Sequence, residues 1–147
     1  MDGEIEKARQ KGLLILGYGA YSAKATKQKL RQKGFSEAAA DDAVEYLIEK
    51  KFLDEKRDAL RLCESLIRKK YGRKRILSSL CAKGYGDEAI SAAEEFLDGV
   101  DFTELCREVI KIKFKELPKD RSEMQKAIAK LSALGYNIGE IKAAMRQ

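Results

Sequence analysis

The sequence predicts an all-α fold of three tandem three-helix modules, nine helices in an elongated, curved array. Three observations carry that prediction. The stretch LRQKGFSEAAADDAVEYL at Leu30–Leu47 returns as LCAKGYGDEAISAAEEFL at Leu80–Leu97, a period of 50 with Leu30/Leu80, Lys33/Lys83, Gly34/Gly84, Ala39/Ala89 and Ala43/Ala93 identical. A third copy, LSALGYNIGEIKAAM, follows 51 residues on; such a period marks a repeat architecture. The triplets KGF, KGY and LGY fall at matching places and predict tight helix-glycine-aromatic-helix corners, with the glycine left-handed and the aromatic folded back on the preceding turn. Apolar spacing is helical throughout, with one proline and no alternating Val/Ile/Thr run to read as a strand.

Taken in order, Glu4–Leu16 is the first helix, followed by the glycine-rich break GYGAY. Ser22 caps Ala23–Lys33, Gly34 ends it, and Ser36 caps Glu37–Lys50, which completes a module over 1–53. In the second module, 54–100, Asp54 caps Glu55–Lys70, which stops at Gly72. Arg73–Lys83 then stops at Gly84, and Asp87–Asp98 stops at Gly99. The third module, 101–147, opens with Asp101 and Glu104 at capping-box spacing and a helix running to about Leu117, before Pro118. Asp120 with Glu123 repeats that spacing for the helix ending at Gly135, and Asn137 with Glu140 does so for the last.

Composition narrows the function. With 44% hydrophobic and 37% charged residues the chain is not disordered, and its longest apolar run, Leu13–Leu16, is far too short to cross a bilayer. Asp2, Glu4 and Glu6 stand where a signal peptide would be basic, so cytoplasmic residence with no membrane partner is expected. Cys63, Cys81 and Cys106 form no CxxC pair and read as small core residues. Histidine is absent, which removes the commonest general base and metal ligand. No catalytic residue, metal or cofactor is expected. The pair Asp41/Asp42 is the best remaining enzymatic candidate, but adjacent helix positions point apart and a solvated face accounts for it better.

Charge is the informative feature. The net +6 is local: Lys56–Lys83 holds ten Lys/Arg against two Asp/Glu, and the remaining residues hold 20 against 22. Its densest part, RKKYGRKR at Arg68–Arg75, joins the end of one helix to the start of the next. Arg73, Lys74 and Arg75 oppose the dipole of the helix they begin, at about 0.3–1 kcal/mol each, which points to a use for the charge. Arg57, Arg61 and Arg68 lie on one face of the preceding helix, away from its apolar stripe. Lys24, Lys27, Lys29, Arg31 and Lys33 form a second acid-free cluster on the corresponding helix of the first module. The expected polyanion or acidic-surface contacts are therefore Arg57, Arg61, Arg68, Lys69, Lys70, Arg73, Lys74, Arg75, Lys24, Lys27 and Arg31. By contrast, Asp87–Glu108 carries eight acidic residues and one arginine, so the chain is bipolar along its length. The segment GYGAYSAK follows no strand and matches no phosphate-loop spacing, so it reads as a corner between helices.

The order of motifs resembles the RecX family, small bacterial regulators of the RecA recombinase. The resemblance rests on Ser22, Leu30, Gly34 and Phe35, on Leu53, Asp54, Glu55, Arg57 and Ala59, and on Gly72, Arg75 and Ile76 running into the next L-x2-K-G. The chain departs from the family pattern at Gly17-Tyr18-Gly19, Ala25-Thr26 and Asp58. The resemblance implies a monomeric, non-enzymatic protein that lies in the groove of the RecA–single-stranded DNA filament, with duplex DNA as a further ligand. It would restrain strand exchange, ATP hydrolysis and repressor cleavage in recombinational repair and the SOS response. The alternative reading is a sequence-tolerant DNA-binding protein or helix-turn-helix transcription factor. Against the latter, the helices after the corners, Glu37–Lys50 and Asp87–Asp98, are acidic, whereas a recognition helix begins with Arg, Lys, Asn or Gln.

Overall fold

The structure, a computed structural model, describes residues 2–146. Among them it has nine α-helices and no strand: α1 (Asp2–Gly17), α2 (Ala23–Gln32), α3 (Glu37–Glu49), α4 (Glu55–Arg68), α5 (Arg73–Ala82), α6 (Asp87–Asp98), α7 (Phe102–Lys113), α8 (Arg121–Ala133) and α9 (Ile138–Met145). The all-α prediction holds element by element. No helix of the described residues is long and apolar enough to cross a membrane.

The corners form as expected. Gly34, Gly84 and Gly135 have φ of +97°, +85° and +108°, and the amides of Phe35, Tyr85 and Tyr136 bond back to the carbonyls of Leu30, Leu80 and Leu131. Those reverse bonds satisfy carbonyls that the helix end would otherwise leave open. The N-termini are equally local: the side chains of Ser22, Ser36, Asp101 and Asp120 each accept an amide three residues on, and Asn137 with Glu140 makes a complete capping box.

Three expectations need correction. The helix opened by Asp101 ends at Lys113 instead of near Leu117: Phe114 is extended (φ −117°, ψ 122°), and Ile112 and Leu117 are 70% and 38% exposed, so no buried stripe holds another turn. The helix before Gly72 ends at Arg68, because Lys70 itself takes the left-handed conformation at φ 67°, as Lys51 does at φ 64° after α3. These lysines do without glycine what the glycine corners do, and Tyr71 and Phe52 close them with bonds to Leu66 and Leu47. Finally, Cys81 is exposed, whereas Cys63 and Cys106 are buried as the pattern predicts; position 81 faces outward beside the buried Leu80.

The chain divides into two compact units, Met1–Leu60 with Leu80–Ala92 and Arg61–Ser79 with Ala93–Gln147. In the first, α1, α2 and α3 surround Ala8, Ile15, Leu30, Ala39, Ala40 and Ala43, with Tyr21 and Phe35 packed on the edge. The alanines of α3 allow close approach. Ser22 is 1% exposed: its hydroxyl donates to the Lys83 carbonyl at 2.9 Å while accepting from the Ala25 amide at 3.0 Å. One carboxylate, Glu55, receives the Ala23 amide at 2.7 Å and the Gly86 amide at 2.9 Å, so it serves two helix starts at once. Asp41 pairs with Lys27 at 2.8 Å and Asp42 with Arg9 at 2.8 Å, so the adjacent carboxylates turn to different cations.

In the second unit the core is Cys63, Ile76, Ala93, Leu97, Phe102, Cys106, Val109, Ile110, Ala127, Leu131, Tyr136, Ile141 and Ala144, all buried. Full burial of each large aliphatic side chain is worth about 1.5–3 kcal/mol. Burial and the nearby Glu140 push the Cys106 thiol up to about 11.

Candidate nucleic-acid interface

The segment Arg68–Arg75 is a built corner. Helix α4 closes at Lys70, whose amide bonds to the Ile67 carbonyl at 2.8 Å, and α5 restarts at Arg73. The α8–α9 corner then grips it through the backbone. The Gly72 amide donates to the Leu134 carbonyl at 2.7 Å and the Lys74 amide to the Gly135 carbonyl at 3.2 Å. The Tyr136 hydroxyl donates to the Lys70 carbonyl at 2.6 Å, and the Arg75 guanidinium to the Ala133 carbonyl at 3.2 Å. A side chain at Gly72 would stand 2.3 Å from the Gly135 carbonyl carbon, closer than any real contact, so the approach needs glycine there.

This grip changes the meaning of the charges. Arg73 and Arg75 oppose the α5 dipole, yet each has a partner: Arg73 donates to Asp98 at 2.7 Å and to the Glu94 carbonyl at 3.5 Å, and Arg75 lies on the negative end of α8. Lys70 pairs with Glu108 at 3.0 Å. Among the described residues, Arg68, Lys69 and Lys74 are exposed and form no ion pair, so they are the cations of this corner whose side chains meet no partner within the chain. Beside them a cleft of about 220 Å³ is lined by Lys69, Lys70, Tyr71, Ile112, Lys113 and Leu134, among others. The Arg75 guanidinium sits 4.3 Å from the centre of the Tyr71 ring, a stacked pair fixed before any ligand arrives.

The remaining predicted contacts divide in the same way. Arg57 donates to Asp58 at 3.2 Å and to the carbonyls of Lys51 and Phe52 at 3.4 and 3.5 Å, and so closes the end of α3. Lys27 is held by Asp41 and Glu37, which raise its pKa. Arg31 donates to the Phe35 carbonyl at 3.0 Å. Lys24 and Arg61 are exposed and, among the described residues, form no ion pair. Sequence reasoning missed Ile112 and Lys113, which line the cleft only because α7 ends where it does; Ile112 reads as one more apolar helix position until the structure shows it 70% exposed. Among the described residues there is no cluster of three or more His, Cys, Asp or Glu able to hold a metal ion.

Comparison with known proteins agrees with this fold. Residues 8–47 match a family model described as RecX, first three-helix domain. The chain is 30% identical over 147 residues to the regulatory protein RecX of Vibrio cholerae serotype O1 (strain ATCC 39541 / Classical Ogawa 395 / O395), covering 99% of this chain and 96% of that protein. It is 33% identical over 138 residues to the regulatory protein RecX of Xanthomonas axonopodis pv. citri (strain 306), covering 93% and 85%. The crystal structure of RecX from Lactobacillus salivarius has the same fold, with a TM-score of 0.84 at 19% identity over 99% of this chain and 96% of that one.

Proposed function

Since the chain belongs to the RecX family, a family of regulatory proteins, we propose that it regulates a RecA recombinase by binding the RecA–single-stranded DNA filament. It restrains ATP hydrolysis, strand exchange and coprotease activity in recombinational repair and the SOS response. In this reading it acts in the cytoplasm as a monomer, catalyses nothing and needs no cofactor. The observation that carries the reading is the clamped basic corner. Arg68, Lys69 and Lys74 are presented free on a backbone that the α8–α9 corner holds in place. Cations whose positions are already set lose less entropy on meeting phosphates or carboxylates.

Three modules over 1–53, 54–100 and 101–147 would supply several weak contacts to a repeating filament, each raising the effective concentration of the next. The acidic stretch Asp87–Glu108 suits basic protein surface, while the basic corner suits DNA. The test is a RecA ATPase assay on single-stranded DNA with substoichiometric protein, comparing the intact chain with an Arg68→Glu/Lys69→Glu/Lys74→Glu variant. Inhibition by the intact chain and its loss in the variant are expected. An intact chain that leaves ATP hydrolysis, filament length and strand exchange untouched while binding a duplex sequence-specifically would make the transcription-factor reading correct instead.

A further inference from the structure

Two clefts open side by side in the unit formed by Met1–Leu60 and Leu80–Ala92, and they share Tyr21 and Lys29. One, about 460 Å³, lies between the end of α1 and α2 and includes Leu14 and Tyr18. The other, about 370 Å³, lies between α2 and the Gly84 corner. Together they present Lys11, Lys24, Lys29, Lys33 and Lys83. Among the described residues none of these lysines forms an ion pair, and no acidic side chain lines either cleft. The face of α2 turned to α3 is the opposite case, since there Lys27 is neutralised by Asp41 and Glu37.

The aromatic residues complete the pattern. Tyr18 is 83% exposed, so its ring rests on open cleft instead of core. Tyr21 already has the Lys29 ammonium 4.7 Å from its ring centre. Gln28 and Gln32, one in each cleft, add amide groups that both donate and accept. Lys29 and the cap residue Lys33 stand one helical turn apart, about 6 Å, and with Lys11 they line the larger cleft, a spacing that neighbouring phosphates of a strand can match. Cations along a groove, an open aromatic face and amides without carboxylates are what an unpaired strand requires: charge for its phosphates and a platform for a base. A duplex hides its base faces, and an acidic protein surface would use the lysines but leave Tyr18 idle.

We propose that this double cleft is a single-stranded nucleic-acid site in which a base stacks on Tyr18 and the phosphates run along Lys11, Lys29 and Lys33. It is built from different residues than the Arg68–Arg75 corner and needs no recombinase, so its failure leaves the filament reading standing. The experiment measures fluorescence anisotropy of labelled oligo(dT) and of an equally long abasic sugar-phosphate strand. At 83% exposure Tyr18 can be truncated without opening the core. Tyr18→Ala is expected to weaken oligo(dT) binding by roughly 5- to 100-fold, the range of one base stack. Tyr18→Phe should retain wild-type affinity, and the abasic strand should be indifferent to either change. Lys29→Gln/Lys33→Gln should weaken both strands. An oligo(dT) affinity within twofold of wild type for Tyr18→Ala overturns the site, as do equal losses on the two strands. Polyglutamate competing as well as oligo(dT) would assign the cleft to an acidic protein surface instead.

Discussion

The amide of Gly72 donates to the carbonyl of Leu134 at 2.7 Å, and this joint repeats the one between Ser22 and Lys83, where the Ser22 hydroxyl donates at 2.9 Å. The repeat offsets that align the three corners also align these joints, since Ser22 moved by 50 is Gly72 and Lys83 moved by 51 is Leu134. One repeat solves the contact with a side chain and the other with bare backbone. Each time the last carbonyls of one helix meet the first donors of another, so two sets of open polar groups satisfy each other.

Gly72→Ala should therefore destabilise the protein by about 1–3 kcal/mol, because the new methyl group meets backbone that cannot step aside. Thermal melting checks it. An unchanged midpoint would mean that the joint opens at little cost.

Tyr136→Phe removes the donor to the Lys70 carbonyl and should cost about 1 kcal/mol. Its sharper consequence is local. Hydrogen exchange at the Gly72 and Lys74 amides should quicken before the core of the same unit does, since the hydroxyl is one of the bonds that hold the basic corner.

Stability should fall at both ends of the pH range. The Arg9 guanidinium holds the Asp42 carboxyl below its ordinary 3.8, so that pairing stabilises the fold above pH 3.8 and is lost as pH drops through the lower folded value. Cys106 behaves in the opposite sense: burial raises its thiol from 9.0 to about 11, so the neutral form stabilises below pH 9 and the contribution disappears as pH rises toward 11. Burial raises Tyr136 as well, from 10.0, which extends the alkaline limb. Melting midpoints across pH should show Asp42→Asn flattening the acid limb and Cys106→Ala flattening the alkaline limb between pH 9 and 11.

Affinity for single-stranded DNA should fall with salt, log K against log salt sloping by about −0.7 per phosphate contact. Neutralising Arg68, Lys69 and Lys74 to glutamine should flatten that slope. Arg73→Gln and Arg75→Gln should instead lower the melting midpoint, because those side chains are engaged by Asp98 and the Ala133 carbonyl. Equal slopes for the two sets would show that free and paired cations are equivalent to the ligand.

What the sequence determined by itself was everything set by bonds within a few residues: the nine helices of the described residues, the caps at Ser22, Ser36 and Asn137, and the corners at Gly34, Gly84 and Gly135. Those bonds span three to five positions, so the residues that make them stand together in the text. The basic segment Arg68–Arg75 was legible for the same reason. Which of its charges are free was not, because Asp98, Glu108 and Ala133 reach it from 25, 38 and 58 residues away. Nor was the purpose of Gly72, which spacing presents as a helix stop and packing reveals as the seat of Gly135. The early end of α7 and the outward face of Cys81 were also decided by tertiary packing, since an apolar residue reads alike whether or not a neighbour arrives to cover it.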